Sequence, residues 1–398
     1  MDTMRGVTLR GDWSPRPDFA LGAKDTEGRQ SYLGSRVWRN PRLSVEQYPI
    51  PRPGVGQVLV RVRACGICGS DVHMAQPDGE GYIHYPGLTG FPVILGHELS
   101  GVVVEAGPDT FDKATGKPFR GGEPVCSEEM LWCGVCRPCA DGHPNHCERL
   151  DEIGFNVNGA FADYVLLPAK LLWSLEPLRG VYPQQSDLFL AGSLVEPASV
   201  AYNAVIQRAG GVKPGDDVVI CGGGPVGLAA IAVLKRQGAA RVILSEPEAR
   251  RAAIGRALGA DAVINPVTED FTSRVLALTG GMGAAIYLEA TGLPETVYPG
   301  IERAIWQGRV IGSTVVVVAR ADAKMSVTGE VLQVRGARIV GAQGHSGGGT
   351  FPHVIASMAA GMHMLPLITK QITLDEVPEH IVRLRTDRGE CKITCVME

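Results

Sequence analysis

Asp217-Val-Val-Ile-Cys-Gly222-Gly-Gly224-Pro225-Val226-Gly227 is the stretch whose reading decides the fold. An apolar β-like run enters Gly-x-Gly-x-x-Gly, and a helical run, PVGLAAIAVLKRQGA, follows. In such a unit Gly222 permits the tight turn, Gly224 lets the backbone approach a pyrophosphate, and Gly227 lets helix and strand pack closely. Phosphates then rest at a helix N-terminus, where unpaired N–H groups and the helix dipole favour anions; Pro225 and Val226 complete that turn. Alone, three glycines describe an ordinary turn as well as a nucleotide site. The context that separates the two is a strand before, a helix after, and an acid closing the next strand. That acid is Glu246 in RVILSEP, nineteen residues beyond Gly227. A carboxylate there bonds ribose hydroxyls and repels a 2′-phosphate, so NAD is expected in preference to NADP. Arg250 and Arg251 are the counterweight, since an arginine accepts a 2′-phosphate; Arg251 joins the cofactor-binding candidates. As charged helix residues the two read equally well as a solvated face.

Outward from this unit the texture is consistent. RVILSEP, EARRAAIGRALGA and AVIN continue the alternation of strand and helix, which argues βαβ units and a doubly wound parallel sheet. Upstream, short β-like runs at 57–64, 93–95, 101–105 and 162–167 are broken by proline and glycine, as in a barrel-like β domain. The class is α/β with two domains, which a length of 398 residues and 45 % apolar content can supply with cores. A net charge of -4 with no long basic run speaks against a nucleic-acid surface. No run of about twenty apolar residues suggests a membrane span. MDTMRGVTLRGDW lacks the apolar stretch of a signal peptide. Ten cysteines then point to a reducing compartment, with the cytoplasm as the expected location.

Four of those cysteines, Cys133, Cys136, Cys139 and Cys147, stand as Cys-x2-Cys-x2-Cys-x7-Cys in WCGVCRPCADGHPNHC. Tetrahedral zinc accepts four thiolates, and two-residue gaps let tight turns aim the sulfurs at one point. Four scattered core cysteines or a disulfide knot are the competing readings; the spacing disfavours the first and the chain length the second. A four-thiolate site has no open position, so it is expected to be structural. A catalytic metal needs other ligands. Cys68 in ACGICGSDVH and His97 in ILGHELSG sit in glycine-flanked turns after β-like runs; Glu98 follows His97, and Glu196 lies in SLVEPASV. A Cys, a His and a carboxylate leave zinc one position for water or substrate. Each residue alone reads more simply as core packing.

CGICGSDVH (65–73), GHE (96–98), the cysteine lobe, LVEP (194–197) and GGGPVGL (222–228) together resemble the zinc-dependent medium-chain dehydrogenases, in their polyol and threonine dehydrogenase branch. The resemblance runs from about residue 55 to the C-terminus. It implies a GroES-like β-barrel catalytic domain over 1–198, completed by 345–398, and a Rossmann NAD-binding domain over 199–344. It further implies two zinc ions per chain, a soluble homodimer or homotetramer, and a small-molecule substrate. The catalytic zinc would be held by Cys68 and His97 with Glu98 or Glu196, a choice left open. Glu196 stands where related alcohol dehydrogenases have a second cysteine, and the harder donor set suits oxygen-rich substrates. Asp71 would hold the His97 ring, or cap its own turn. Ser70 would accept the substrate hydroxyl's proton and pass it through the nicotinamide ribose to His73, while hydride passes to NAD; as plain residues these two are a turn hydroxyl and a surface histidine. Glu289 to Gly292 and Ala319–Arg320 would line the nicotinamide, and Lys392 would reach the pyrophosphate.

Segments 17–35, 75–91 and 109–122 exceed the usual length of the resembled family. The second carries Tyr82, His84 and Tyr85 and is expected to wall the substrate pocket, or to form an oligomer contact. LGSRVW, DVHMAQPDGEGY and QGHSGGGTFP resemble bacterial dehydrogenases of inositol-derived ketones such as scyllo-inosose, which makes a cyclic polyol or keto-polyol the expected substrate. The alternatives are a threonine 3-dehydrogenase or butanediol-type enzyme, a non-catalytic nucleotide-binding protein, and a zinc-ribbon nucleic-acid binder.

Overall fold

The computed structural model describes residues 3–321 and 323–398. Its first half is a β structure. Gln57–Gly66 is the central strand of a mixed sheet whose order is Leu172–Ser174, Pro124–Ser127, Glu98–Ala106, Gln57–Gly66, Lys392–Val396 and Ile368–Ile372, with Tyr164–Pro168 also paired to Gln57–Gly66. Thr3–Trp13 and Trp38–Pro49 form a long antiparallel pair, from Thr3↔Pro49 to Trp13↔Trp38, and Val93–Ile94 adds to it. Alternate residues of these strands fill a common interior of Val7, Leu9, Val58, Val60, Val62, Leu99 and Phe161. The chain's last strand returns to this sheet.

The second half is an open sheet of six parallel strands in the spatial order Ala262–Ile264, Arg241–Ser245, Asp217–Cys221, Ile286–Glu289, Thr314–Val317, Arg338–Gly341. In chain order this is 3-2-1-4-5-6, the doubly wound arrangement in which a crevice opens where the order reverses, beside the first strand. Asp217–Cys221 is buried on both faces, which is why its sequence is a continuous apolar run rather than an alternation. The helix Pro225–Gln237 buries Gly227 to Leu234 and stops at Gly238, whose φ of 97° is the left-handed conformation glycine supplies at a helix end.

A helical run from Gln185 to Arg208 joins the halves. By length and composition it passes for a membrane span, contrary to the expectation that no such stretch exists. In the fold 83 % of its most apolar window is buried, against Val218, Ile220, Leu228 and Ala64 among others, so its apolarity is that of a core helix. The same core draws residues from both halves and continues under Phe351 to Met358.

Candidate active site

The zinc-ligand candidates converge because of strand register. Gly66 pairs directly with Glu98 on one side and with Thr394 on the other. Cys68, two residues past Gly66, and His97, one before Glu98, therefore emerge at one rim of the sheet. Donor atoms of Cys68, His97 and Glu98 all lie within 4.8 Å of one another. Gly66 itself admits no side chain, since a Cβ there would stand 2.1 Å from Glu98 Oε2. The short helix Gly69–Ala75 follows Cys68. Asp71 on its first turn caps that turn, Oδ2 accepting the Cys68 backbone N–H (2.9 Å), while Oδ1 faces His97 Nδ1 at 3.9 Å without a hydrogen bond between them.

The charges of this site are unbalanced without a cation. Burial pushes the Cys68 thiol up to about 11, with Glu98 adding to the effect. Burial also lifts Asp71 above the usual carboxylate range, and it lifts Glu196 to about 8 against the opposing pull of His97. For His97, burial opposes charge, but Asp71, Glu196 and Glu98 together raise its pKa. Glu98 Oε2 is buried without a hydrogen-bond partner. A soft thiolate donor, an imidazole and an orphaned carboxylate oxygen within one sphere fit a zinc ion.

Lys392 holds the other oxygen of Glu98. Its Nζ donates to Glu98 Oε1 (2.6 Å) and to the Ile67 carbonyl (2.8 Å), with both side chains almost wholly buried. This corrects the expectation that Lys392 reaches the pyrophosphate: its strand belongs to the β sheet, two residues from Thr394 opposite Gly66, and delivers the ammonium to the underside of the metal site. Lys392→Met would leave Glu98 buried and unpaired in the metal-free protein, at a cost of about 3 kcal/mol. Zinc binding should recover part of that loss, and urea unfolding with chelator or with added zinc measures both.

Glu196 enters from a different element. It starts the helix Val195–Tyr202 and its Oε1 lies 3.4 Å from His345 Nε2, which is 3.6 Å from Glu129 Oε1. The Glu129 N–H donates to that same ring nitrogen (3.4 Å), and burial holds the imidazole pKa down at about 3, so His345 is neutral here. Neither Glu129 nor His345 was foreseen. Glu129 directly precedes the cysteine lobe and His345 lies in a glycine-rich segment, contexts that carry no ligand spacing.

These groups border a cavity of about 530 Å³ between the β half and the parallel sheet. Cys68, Ser70, His97, Glu98 and Glu196 stand on one side, and Val226, Ala319 and Arg320 on the other. It lies beyond the carboxyl ends of Thr314–Val317 and Arg338–Gly341, where open α/β sheets bind ligands. The Ser70 hydroxyl is buried and unpartnered. His73, one turn on, is half-buried outside the cavity lining, and burial lowers its pKa, with His84 and Arg388 contributing. In segment 75–91 only Tyr85 lines the cavity, accepting a bond from Arg320 Nη1 (3.0 Å). Tyr82 lies instead under the guanidinium of Arg16, 3.9 Å from the ring centroid, and Asp78 pairs with Arg16 at 2.5 Å. Thus two of the long segments, or their flanks, pack on each other and leave one tyrosine for the pocket.

The nucleotide loop has the geometry its glycines require. Gly222 has φ 103°, a Cβ on Gly227 would stand 2.0 Å from the Gly222 carbonyl oxygen, and the space around Gly224 is open. Glu246 is buried behind the loop, accepting the N–H of Gly223 (2.6 Å) and of Glu248 (2.7 Å). Arg251 donates to the Glu390 carbonyl (2.8 and 3.3 Å) and Arg250 pairs with the Glu390 carboxylate (2.8 Å), so both bridge to the C-terminal segment.

In the cysteine lobe the four sulfurs also fall within 4.8 Å of one another, and none is in a disulfide. Backbone N–H groups already point at them: Val135 and Cys136 at Cys133 Sγ (3.4 Å each), and Cys133 and Arg149 at Cys147 Sγ (3.3 Å each). The Val135 N–H is the main reason Cys133 is held down to about 6, as suits a thiolate ligand.

A barrel carrying a Cys–His–Glu centre, a four-cysteine lobe and a doubly wound sheet define a metal-dependent dehydrogenase. Residues 54–177 match the alcohol dehydrogenase GroES-like domain and residues 225–360 match the zinc-binding dehydrogenase family. The chain belongs to the zinc-binding dehydrogenases and is an oxidoreductase. Among individual proteins, it is 61 % identical over 396 residues to scyllo-inosose 3-dehydrogenase of Thermotoga maritima, covering 99 % of this chain and 100 % of that one. A solved structure from Thermotoga maritima assigned to the alcohol dehydrogenases superimposes with a TM-score of 0.97, at 60 % identity, over 99 % of this chain and 100 % of the other. A zinc-binding dehydrogenase from Sinorhizobium meliloti, solved with NADP bound, gives a TM-score of 0.78 at 26 % identity, with both chains fully covered.

Proposed function

We propose that this protein oxidises a secondary hydroxyl of a cyclic polyol or keto-polyol, with scyllo-inosose the leading candidate, and passes hydride to NAD. The single observation that carries the substrate class is the near full-length 61 % identity to scyllo-inosose 3-dehydrogenase. The carboxyls of Glu129, Glu152 and Glu196 and the Tyr85 hydroxyl, set in an otherwise largely apolar cavity wall, agree with it. In this reading residues 1–198 and 345–398 form the catalytic domain and 199–344 the nucleotide-binding domain. Cys68, His97 and Glu98 hold the catalytic zinc through Glu98 Oε2, and Cys133, Cys136, Cys139 and Cys147 hold the structural one. Glu196 falls outside that donor cluster, with Oε1 toward His345, and would border the bound substrate from the cavity wall. Bound there, zinc polarises the substrate oxygen as a Lewis acid and the nicotinamide accepts hydride.

The chain's own residues then do the following. Lys392 fixes Glu98 before substrate arrives, and Asp71 faces the His97 ring at 3.9 Å, placed to take up its N–H when the ring turns to the metal. Ser70, unpartnered at the cavity wall, takes the hydroxyl proton as the carbinol becomes a carbonyl. His73, outside the cavity lining, would receive that proton by way of the nicotinamide ribose and release it to solvent. Gly222, Gly224, Pro225, Val226 and Gly227 seat the pyrophosphate. Glu246 at the end of its strand, with Arg250 and Arg251 both engaged by Glu390, supports NAD over NADP. A homo-oligomer in the cytoplasm acting on a small molecule completes this reading.

The test is NAD-linked turnover of the zinc-loaded full chain across scyllo-inosose, inositols, sorbitol, 2,3-butanediol and threonine. The cyclic polyols should give the highest kcat/KM, and NAD should be preferred to NADP. Turnover confined to threonine or butanediol would overturn the substrate assignment.

A further inference from the structure

The cavity contains two carboxylates that the zinc chemistry does not use. Glu152 and Glu129 meet there through a local hairpin: Asp151–Glu152 pairs antiparallel with Met130–Leu131, placing Glu152 opposite Met130, and the Ile153 N–H donates to the Glu129 carbonyl (3.0 Å). Both side chains line the cavity and both are more than nine-tenths buried, at 3 % and 6 % exposure. Each has an oxygen, Oε2 in both cases, with no hydrogen-bond partner. The two arginines of the cavity lining are engaged elsewhere: Arg320 Nη1 donates to the Tyr85 hydroxyl (3.0 Å) and Arg208 Nε to the Gly341 carbonyl (2.8 Å).

Buried acceptors without donors are costly, and proteins retain them where a ligand supplies the missing hydrogens. The orphaned oxygens sit beside the metal-ligand cluster, on the same cavity as Cys68, His97 and Glu196. A molecule attached to the metal site by one oxygen would therefore present its neighbouring substituents to this wall. An amine is one donor that carboxylates accept, and a set of hydroxyls on adjacent ring carbons is another. Two acceptor groups on one wall, with Tyr85 and Arg320 across the mouth, fit several hydroxyls better than a single ammonium. We propose that Glu129 and Glu152 are specificity residues that accept hydrogen bonds from the ring hydroxyls of the substrate, selecting a polyhydroxylated ring over a simple secondary alcohol.

The proposal rests on the dehydrogenase reading above, so its test carries a wild-type arm that examines that reading alone. Wild-type, Glu129→Gln and Glu152→Gln proteins, each zinc-loaded, would be assayed with NAD and either scyllo-inosose or cyclohexanol. Each Gln variant keeps shape and replaces the carboxyl by an amide, one of whose two acceptor oxygens becomes a donor. For each, kcat/KM for scyllo-inosose should fall about 10- to 100-fold, mostly through KM, as expected when a hydrogen bond is lost and its buried partner is left unsatisfied. The loss with cyclohexanol should be at least about tenfold smaller, since that ring has no further hydroxyls to lose contact. Calorimetric Kd of scyllo-inosose for the enzyme–NADH complex supplies a second readout that needs no turnover and should weaken in step. Zinc content and NADH affinity confirm that the variants are folded. Equal losses on both rings, or a KM and Kd within about threefold of wild type, would overturn the proposal. Failure of the wild type on scyllo-inosose and all inositols would overturn the cyclic-polyol substrate assignment instead.

Discussion

Cys68→Ala should reduce NAD-linked turnover by about 10³-fold or more while leaving the chain folded with one zinc instead of two. The magnitude follows from removing a Lewis acid that supplies several kcal/mol of transition-state stabilisation. The fold should survive because Cys68 is a rim residue. It lies just beyond the Gln57–Gly66 strand and contributes nothing to the interior of Val58, Val60 and Val62. Metal content, circular dichroism and steady-state kinetics on one preparation separate these effects. Loss of both zincs together, or retention of more than about a tenth of the activity, would show that this centre is not the catalytic one.

Cys147→Ser should act in the opposite manner, on structure first. The lobe that contains it has almost no apolar interior, only Met130, Cys136, Cys147 and Leu150. Structural zinc sites of this kind supply on the order of 10 kcal/mol of local folding energy. Without the metal the lobe should open, and proteases should cut between residues 132 and 147 while the rest of the chain resists. Activity should fall as well, because the lobe is also a wall of the site. His146 lines the cavity, and Asn145 Nδ2 donates to the Gln343 carbonyl (2.9 Å). Limited proteolysis with mass spectrometry measures the cut site. Uniform destabilisation of the chain without preferred cleavage in the lobe would contradict a local role.

Much of this architecture is legible before any coordinates. The Gly222–Gly227 loop announces the doubly wound sheet, and its strand order follows the general pattern for such folds. The four cysteines name a metal because their spacing is local. Cys68, His97 and Glu98 are harder to read, since the two turns that carry them are separated by the long segment 75–91. What joins them is register, Gly66 opposite Glu98, which a linear sequence does not display. The same reason hides Glu129, Glu152 and His345. Glu129 and Glu152 reach the cavity through a two-residue strand pair, and His345 reaches Glu129 and Glu196 from a glycine-rich loop; neither element has a periodic signature. Lys392 was misplaced for a related reason. Its position near the last strand was evident, but its sheet partner, and with it the direction of its side chain, depends on pairing across more than 320 residues, as in its bond to Ile67. The aromatic content of segment 75–91 suggests a pocket wall or an oligomer contact. Only Tyr85 serves there, because Arg16 and Arg39 draw Tyr82 into cation–π contacts on the far side.

The most direct test of the central claim, that one zinc shapes the lobe and a second one does the chemistry, is metal analysis of the wild-type full chain. The protein would be equilibrated with excess zinc, freed of unbound metal by gel filtration, and its zinc counted against protein concentration. Two zinc ions per chain are expected, with one removed readily by chelator in parallel with activity. A single zinc per chain, with full dehydrogenase activity or with none, would contradict the account.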